Sequence, residues 1–199
     1  MEENVLLEMK NISKTFPGVK ALKNVHFKVH RGEIMAFMGE NGAGKSTLIK
    51  IITGYYRRDP GAGEFYFDGK AVNPRNTDEA QRLGISTIFQ ELNLSPFLSV
   101  AENIYLGNTP KKNGMIDWDT MNKNARAALL ELGVDIDVTA QLSMQSTAIQ
   151  QMVSIARALS RNTKLLIMDE ATSSLDTGEV KVLFDVVKGL KKKGISTIF

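Results

Sequence analysis

The chain has 199 residues, 43% of them hydrophobic and 24% charged, which fits one globular domain, with or without an inserted subdomain, and leaves no room for a large second one. Cysteine is absent, which excludes a disulfide framework or a thiolate metal site and suits a reducing cytoplasm. The formal net charge of +3 does not argue for nucleic acid, because the basic residues are scattered among 22 acids.

Met1-Glu2-Glu3-Asn4 is acidic and no long apolar core follows, so no signal peptide is expected. No apolar run approaches the length of about 20 residues that spans a bilayer, so membrane association would go through a partner. Residues 5–12 and 27–29 are apolar and β-branched with Pro17-Gly18 between them as a turn signal, and they predict strands. Ile34-Met35-Ala36-Phe37-Met38 predicts a strand buried on both faces, ending at Gly39, and residues 45–53 have helical spacing. Glu64-Phe65-Tyr66-Phe67 running into Asp68-Gly69 predicts one arm of a hairpin, so an antiparallel sheet is expected beside the main one.

Between residues 89 and 164 the pattern turns helical, over 100–106, 118–132 and 146–159, the last with Ile149, Met152, Val153 and Ala156 on one face. A strand at Leu165-Leu166-Ile167-Met168, a helix over 177–192 and a strand over 195–199 complete the chain. Gly-Ile-Ser-Thr-Ile-Phe occurs at 84–89 and again at 194–199. The flanking residues differ, so both copies read as a helix exit at glycine followed by a buried strand rather than as a repeat.

Gly39-Glu40-Asn41-Gly42-Ala43-Gly44-Lys45-Ser46 matches the phosphate-binding loop pattern between a strand and a helix. Glycines let backbone N–H groups face phosphates, Lys45 has the reach for the β and γ phosphates, and the Ser46 hydroxyl suits Mg²⁺ at a helix N-terminus whose dipole favours anions. The plain alternative is a glycine-rich turn at a helix start. Residues 165–168 deliver Asp169 and Glu170 at the end of an apolar strand, where open parallel sheets place ligands. There Asp169 suits the Mg²⁺ shell and Glu170 suits orienting and polarising the attacking water. Alone, such a pair reads as a solvated strand end; its value comes from Lys45 earlier in the chain.

In the order phosphate loop, Gln90, helical subdomain, Asp169-Glu170 strand and Ser173-Ser174-Leu175-Asp176, the whole chain resembles the nucleotide-binding domain of ABC ATPases. Val100-Ala101-Glu102-Asn103-Ile104-Tyr105-Leu106-Gly107 and Gln150-Gln151-Met152-Val153 are similar to the wording of importers of ribose, galactose or xylose. The resemblance implies an α/β fold: a P-loop NTPase core with a small antiparallel β subdomain and an inserted helical subdomain over about 93–160. It implies ATP and Mg²⁺, the phosphates held by Gly39 to Thr47, a role for Gln90 at the metal and the water, and Phe16 stacked on adenine. Phe16 also reads as a core residue at a strand edge.

The family's Leu-Ser-Gly-Gly-Gln signature aligns with Gln145-Ser146-Thr147-Ala148-Ile149, which keeps the serine and loses both glycines and the glutamine; a second register starts at Leu142-Ser143-Met144. Ser146 is preferred because it would cap the helix whose N–H groups face the partner's γ-phosphate. Ala148 in place of glycine would narrow the backbone's approach to that phosphate. The histidines are His26 and His30, so the family's switch histidine beyond the last strand is not found, and the chain reads as the C-terminally truncated first half of a longer subunit, slow in turnover and monomeric.

The partners implied are a permease's transmembrane subunits, a second nucleotide-binding domain and, indirectly, a periplasmic or extracellular sugar-binding protein, with no nucleic acid. The location implied is the cytoplasmic face of the cell membrane, the fragment itself being soluble. A soluble relative acting on DNA or ribosomes would be expected to show coiled-coil arms or a basic stripe. A regulatory module without turnover is argued against by Glu170 but kept open by the altered signature, and a small-molecule kinase leaves Gln90 and the 150–159 helix unexplained.

Overall fold

The computed structural model describes residues 4–40, 42–88, 93–168 and 176–199. It opens with two long antiparallel strands, β1 (Val5–Phe16) and β2 (Val19–His30), joined by Pro17-Gly18. Gly18 has φ 78°, the left-handed conformation that a turn with proline at its second position demands of its third. Both strands run beyond the apolar stretches 5–12 and 27–29, because backbone pairing carries polar, Lys-rich segments along with them: Lys14 pairs with Leu22, Thr15 with Lys20 and Phe16 with Val19.

Next come β3 (Ile34–Met35) and α1 (Lys45–Ile52), then β4 (Glu64–Phe67) and β5 (Lys70–Ala71). Asp68 and Gly69 between the last two have φ 53° and 75°, the tight hairpin turn that the Asp-Gly pair predicts. Helix α2 (Thr77–Leu83), capped by Asn76 and ended at left-handed Gly84, leads into β6 (Ile85–Ile88). The order of the first sheet is β2-β1-β4-β5.

The helical stretch comprises α3 (Val100–Tyr105), the short hairpin β7 (Lys111–Lys112) and β8 (Met115–Ile116), α4 (Trp118–Leu130), a single 3-10 turn (Leu142–Met144) and α5 (Thr147–Leu159). Then follow β9 (Leu165–Met168), α6 (Thr177–Lys192) and β10 (Ser196–Ile198). The second sheet has the order β3-β10-β9-β6, and β10 is parallel to both β3 and β9.

Residues 34–38 are not a strand buried on both faces: regular strand geometry is confined to Ile34–Met35, both half-buried, and Met38 is 87% exposed. The reason is position, since β3 lies at the sheet's edge with β10 as its neighbour, and the last ladder bond there runs from Phe37 N–H to the Phe199 carbonyl at 2.6 Å.

The backbone falls into two compact units, Met1–Ser86 with Lys164–Ile167 and Leu190–Phe199, and Thr87–Thr163 with Met168–Gly189. The core of the first joins Leu7, Met9 and Ile12 of β1 to Leu48, Ile49, Ile51 and Ile52 of α1, Phe65 and Phe67 of β4, and Leu165, Ile167 and Ile198 of the second sheet. The second unit packs α3, α4 and α5 together around Val100, Ile104, Met121, Leu129, Met152 and Ile155. Buried Asn103 pins the segment before α3, accepting from Ser95 N–H at 2.7 Å and donating to the Ser95 and Ser99 carbonyls at 2.9 Å.

In the first unit Asp68, on the β4–β5 turn, receives Lys164 from just before β9 and Arg31 from just after β2. These two cations, Lys164 foremost, hold its pKa down to about 2 from an ordinary 3.8. A carboxylate whose folded pKa is depressed stabilises above its unfolded value and loses that contribution as pH falls through the folded one, here between about 4 and 2. Partial exposure of all three groups reduces the gain by solvent screening. Asp68→Asn, which tolerates the left-handed turn, should lower unfolding free energy by about 1 kcal/mol at pH 7, and denaturant titrations should show that difference vanishing near pH 2.

Candidate functional site

The phosphate-loop sequence joins the edge strand β3 to α1, and its described residues form a tight, largely exposed turn. Gly42 and Gly44 both have φ 87°, a conformation that costs other residues roughly 1–2 kcal/mol. Gly44 is further constrained by its neighbours: a Cβ there would come within 2.7 Å of Leu22 Cδ2 and 2.8 Å of the Ala21 carbonyl oxygen on β2. Around Gly42 a Cβ would meet nothing within 4 Å. The two glycines therefore serve different ends, one to open backbone to solvent and one to let α1 start directly against the antiparallel sheet.

Gly44 is also the N-cap of α1 and brings no side chain to cap it. The first N–H groups of a helix lack intrahelical acceptors and carry its positive dipole end, so here they stand ready for an anion. Lys45 turns back into the loop, where its ammonium donates to the Gly39 carbonyl and, at 3.1 Å, to that of Glu40. Ala43 N–H closes the turn on the Glu40 carbonyl at 3.2 Å. Ser46 is exposed and Thr47 half-buried on the first turn of the helix. Glycine backbone, an uncapped helix start, a lysine and a neighbouring hydroxyl make a donor set that fits a polyphosphate, and Ser46 fits one position of a magnesium shell.

Phe16 ends β1 at the hairpin tip and is half-buried. Its ring meets that of Tyr56 edge to face at 5.1 Å, and the Lys14 ammonium lies 5.2 Å from its centroid. The adjacent Thr15 donates its N–H and hydroxyl to Asp59, at 3.0 and 2.8 Å. Those two bonds hold the Asp59 carboxyl below its ordinary pKa. Neither Tyr56 nor Asp59 stands out in the sequence, because each meets Phe16 or Thr15 through space, across some forty residues of chain.

Ser146 is exposed and is the N-cap of α5, its hydroxyl accepting from Ile149 N–H at 3.4 Å, while Gln150 donates to the Gln145 carbonyl at 3.0 Å. In the other register Leu142 is 1% exposed within its 3-10 turn. Capping falls on Ser146, as expected. Asn41, Gln90, Asp169 and Glu170 lie outside the described residues, as does the 173–175 segment. Among the described residues no cluster of His, Cys, Asp or Glu could hold a metal ion, so Ser46 is the described member of the expected magnesium set.

Residues 22–173 match the family model described as ABC transporter. The chain is 49% identical over 194 residues to the galactofuranose transporter ATP-binding protein YtfR of Escherichia coli (strain K12), covering 98% of this chain and 38% of that protein. It is 50% identical over 194 residues to the ribose import ATP-binding protein RbsA 1 of Rubrobacter xylanophilus, with the same coverage. It is also 50% identical over 188 residues to the arabinose import ATP-binding protein AraG of Vibrio parahaemolyticus, covering 94% of this chain and 37% of that protein. The chain thus spans well under half the length of these relatives. Among solved structures, the ADP conformation of MJ1267, an ATP-binding cassette of an ABC transporter, superposes with TM-score 0.84 at 31% identity over 98% of this chain and 80% of that one. A dimeric post-hydrolysis state of the cassette MJ0796 bound to ADP and Pi gives TM-score 0.79 at 28% identity, over 97% of this chain and 86% of that one.

The two glycines give a graded prediction. Gly42→Ala should cost about 1–2 kcal/mol of stability from backbone strain alone. Gly44→Ala should cost more, because the new methyl also drives into β2, and chemical denaturation of the two variants side by side should show that order.

Proposed function

We propose, from the premise that this chain belongs to the ABC transporter family, that it binds Mg-ATP on the phosphate loop and hydrolyses it to drive import of a sugar through a membrane permease. The observation that carries the reading is the uncapped start of α1 beneath Gly42 and Gly44, with the Lys45 ammonium turned into the loop. The names of the relatives, which are transporter and import ATP-binding proteins for galactofuranose, ribose and arabinose, support a pentose- or hexose-type sugar as the cargo.

In this reading the backbone N–H groups from Gly42 to Thr47 and the Lys45 ammonium hold the β and γ phosphates. Ser46 would hold Mg²⁺ together with Asp169 and Gln90, which would supply charge neutralisation on the terminal phosphates. Glu170 orients and polarises a water for in-line attack on the γ-phosphorus. The bond from that phosphorus to the bridging oxygen breaks, the electron pair leaves with ADP, and the water's proton is passed off through Glu170. The chain's part in the chemistry is positioning and charge stabilisation.

The second nucleotide-binding domain completes the site with a signature serine, the role given to Ser146 toward its partner's γ-phosphate. ATP closes the pair, hydrolysis reopens it, and the permease's transmembrane subunits convert the motion into transport of a sugar handed over by an external binding protein. Attachment to the cytoplasmic face runs through the permease; among the described residues no helix is long and apolar enough to cross a membrane.

Calorimetric titration with Mg-ATP tests the loop. Lys45→Ala removes a charge-assisted contact worth about 1.5–3 kcal/mol, so affinity should fall roughly 10- to 150-fold; parent-like binding would mean that the loop does not hold the phosphates. In the full-length protein, Glu170→Gln should leave that affinity intact and abolish phosphate release, since the amide keeps the carboxylate's shape without its basicity. Unchanged release would transfer the water-activating role to another group, with Gln90 the first candidate.

A further inference from the structure

We propose that Tyr56 is a positioning residue for the nucleotide's base, holding the Phe16 ring at the pitch on which adenine stacks, and that it couples base recognition to the phosphate loop through α1. The proposal rests on the reading of Phe16 as the adenine platform. What the structure adds is the support beneath that platform. Phe16 lies at a hairpin tip, where two strands and a turn alone leave a side chain free to swing, and its ring is met edge to face by Tyr56 at 5.1 Å. Edge-to-face pairs are directional, because the positive ring edge seeks the negative face, so the contact fixes orientation as well as proximity.

Tyr56 is itself held from several sides. Its N–H donates to the Lys50 carbonyl on the last turn of α1 at 2.9 Å. The Lys50 ammonium lies 5.4 Å from its ring centroid, and the Tyr55 ring packs against it at 5.2 Å. The chain reaches Tyr56 through Gly54, at φ 73°, where a Cβ would come within 2.5 Å of the Asn76 carbonyl oxygen, so this turn has little latitude. Three residues on, Asp59 grips the backbone and hydroxyl of Thr15. The short 54–59 segment therefore clamps the hairpin tip at two points, Asp59 on the backbone of Thr15 and Tyr56 on the ring of Phe16.

Helix α1 joins the two ends of the site. Its first residue is Lys45, and Tyr56 hydrogen-bonds to its last turn. Eight helical residues span about 12 Å at 1.5 Å per residue, a rigid spacer between the phosphate end and the Phe16 support. A base stacked on Phe16 is thereby registered against phosphates held at Gly42 to Thr47.

The test compares two ligands that share phosphates and differ in the base, Mg-ATP and inorganic triphosphate, titrated into the chain and its variants. Tyr56→Leu should weaken ATP binding about 2- to 10-fold, the value of an edge-to-face pair, and leave triphosphate affinity unchanged. Tyr56→Phe, which keeps the ring, should behave as the parent. Phe16→Leu should reproduce the loss, and the double variant should be no worse than Phe16→Leu alone. Should the leucine substitution at Tyr56 prevent folding, Tyr56→Met carries the same comparison with a flexible side chain and no ring. Equal losses for both ligands in the Tyr56 variant would make Tyr56 merely structural and overturn the proposal, as would an unchanged ATP affinity when Phe16→Leu weakens it. If Phe16→Leu itself leaves the ratio of ATP to triphosphate affinity unchanged, the stacking role of Phe16 falls and this inference falls with it.

Discussion

The structure turns on the approach of Gly44 to β2. Its left-handed backbone, with room for a hydrogen atom and nothing larger between it and Ala21-Leu22, decides where α1 begins. From that point the rest follows: the helix start is left without a side-chain cap, Lys45 folds into the loop, and Leu48, Ile49, Ile51 and Ile52 drop into the core between the two sheets. A larger residue at this position would move the helix start away from the antiparallel sheet and break the alignment between the loop and the hairpin that carries Phe16.

A second constraint acts on the same unit. Asp68 gathers Lys164 and Arg31, so the turn of the antiparallel sheet is tied to the entry of β9, the strand that leads toward Asp169. Strands β3, β10 and β9 run parallel, the pairing of open α/β sheets, which bind their ligands beyond the carboxyl ends of their strands. Charge outside and parallel pairing inside thus serve one arrangement.

Much of this is legible in the sequence wherever the physics is local. Glycine spacing announces the loop, Asp68-Gly69 announces a hairpin, and the apolar stripe of α6 marks Thr177–Lys192. Sequence reasoning fails where the controlling interaction is distant. The apolar run at 34–38 reads as a central strand until the topology puts it at an edge. Lysines hide the full length of β1 and β2, whose polar ends are recruited by pairing rather than by burial. The β7–β8 hairpin does carry a local signal, Asn113-Gly114 at φ 52° and 83°, the usual pair for such a turn, but its strands are two residues each and lie inside a helical stretch. At the site, residue types identify the loop, while the Tyr56 brace needs the fold to bring it to Phe16.

In the proposed function a nucleotide's phosphates are taken by the backbone between Gly42 and Thr47. Hydrogen exchange of the backbone amides, measured with and without Mg-ATP, addresses it most directly, because the proposed ligands are the exchanging groups themselves. Strong protection confined first to residues 42–47, and weakened in Lys45→Ala at the same nucleotide concentration, is the predicted result. Unchanged exchange across that stretch in the presence of saturating nucleotide, or protection appearing elsewhere in the chain instead, would contradict it.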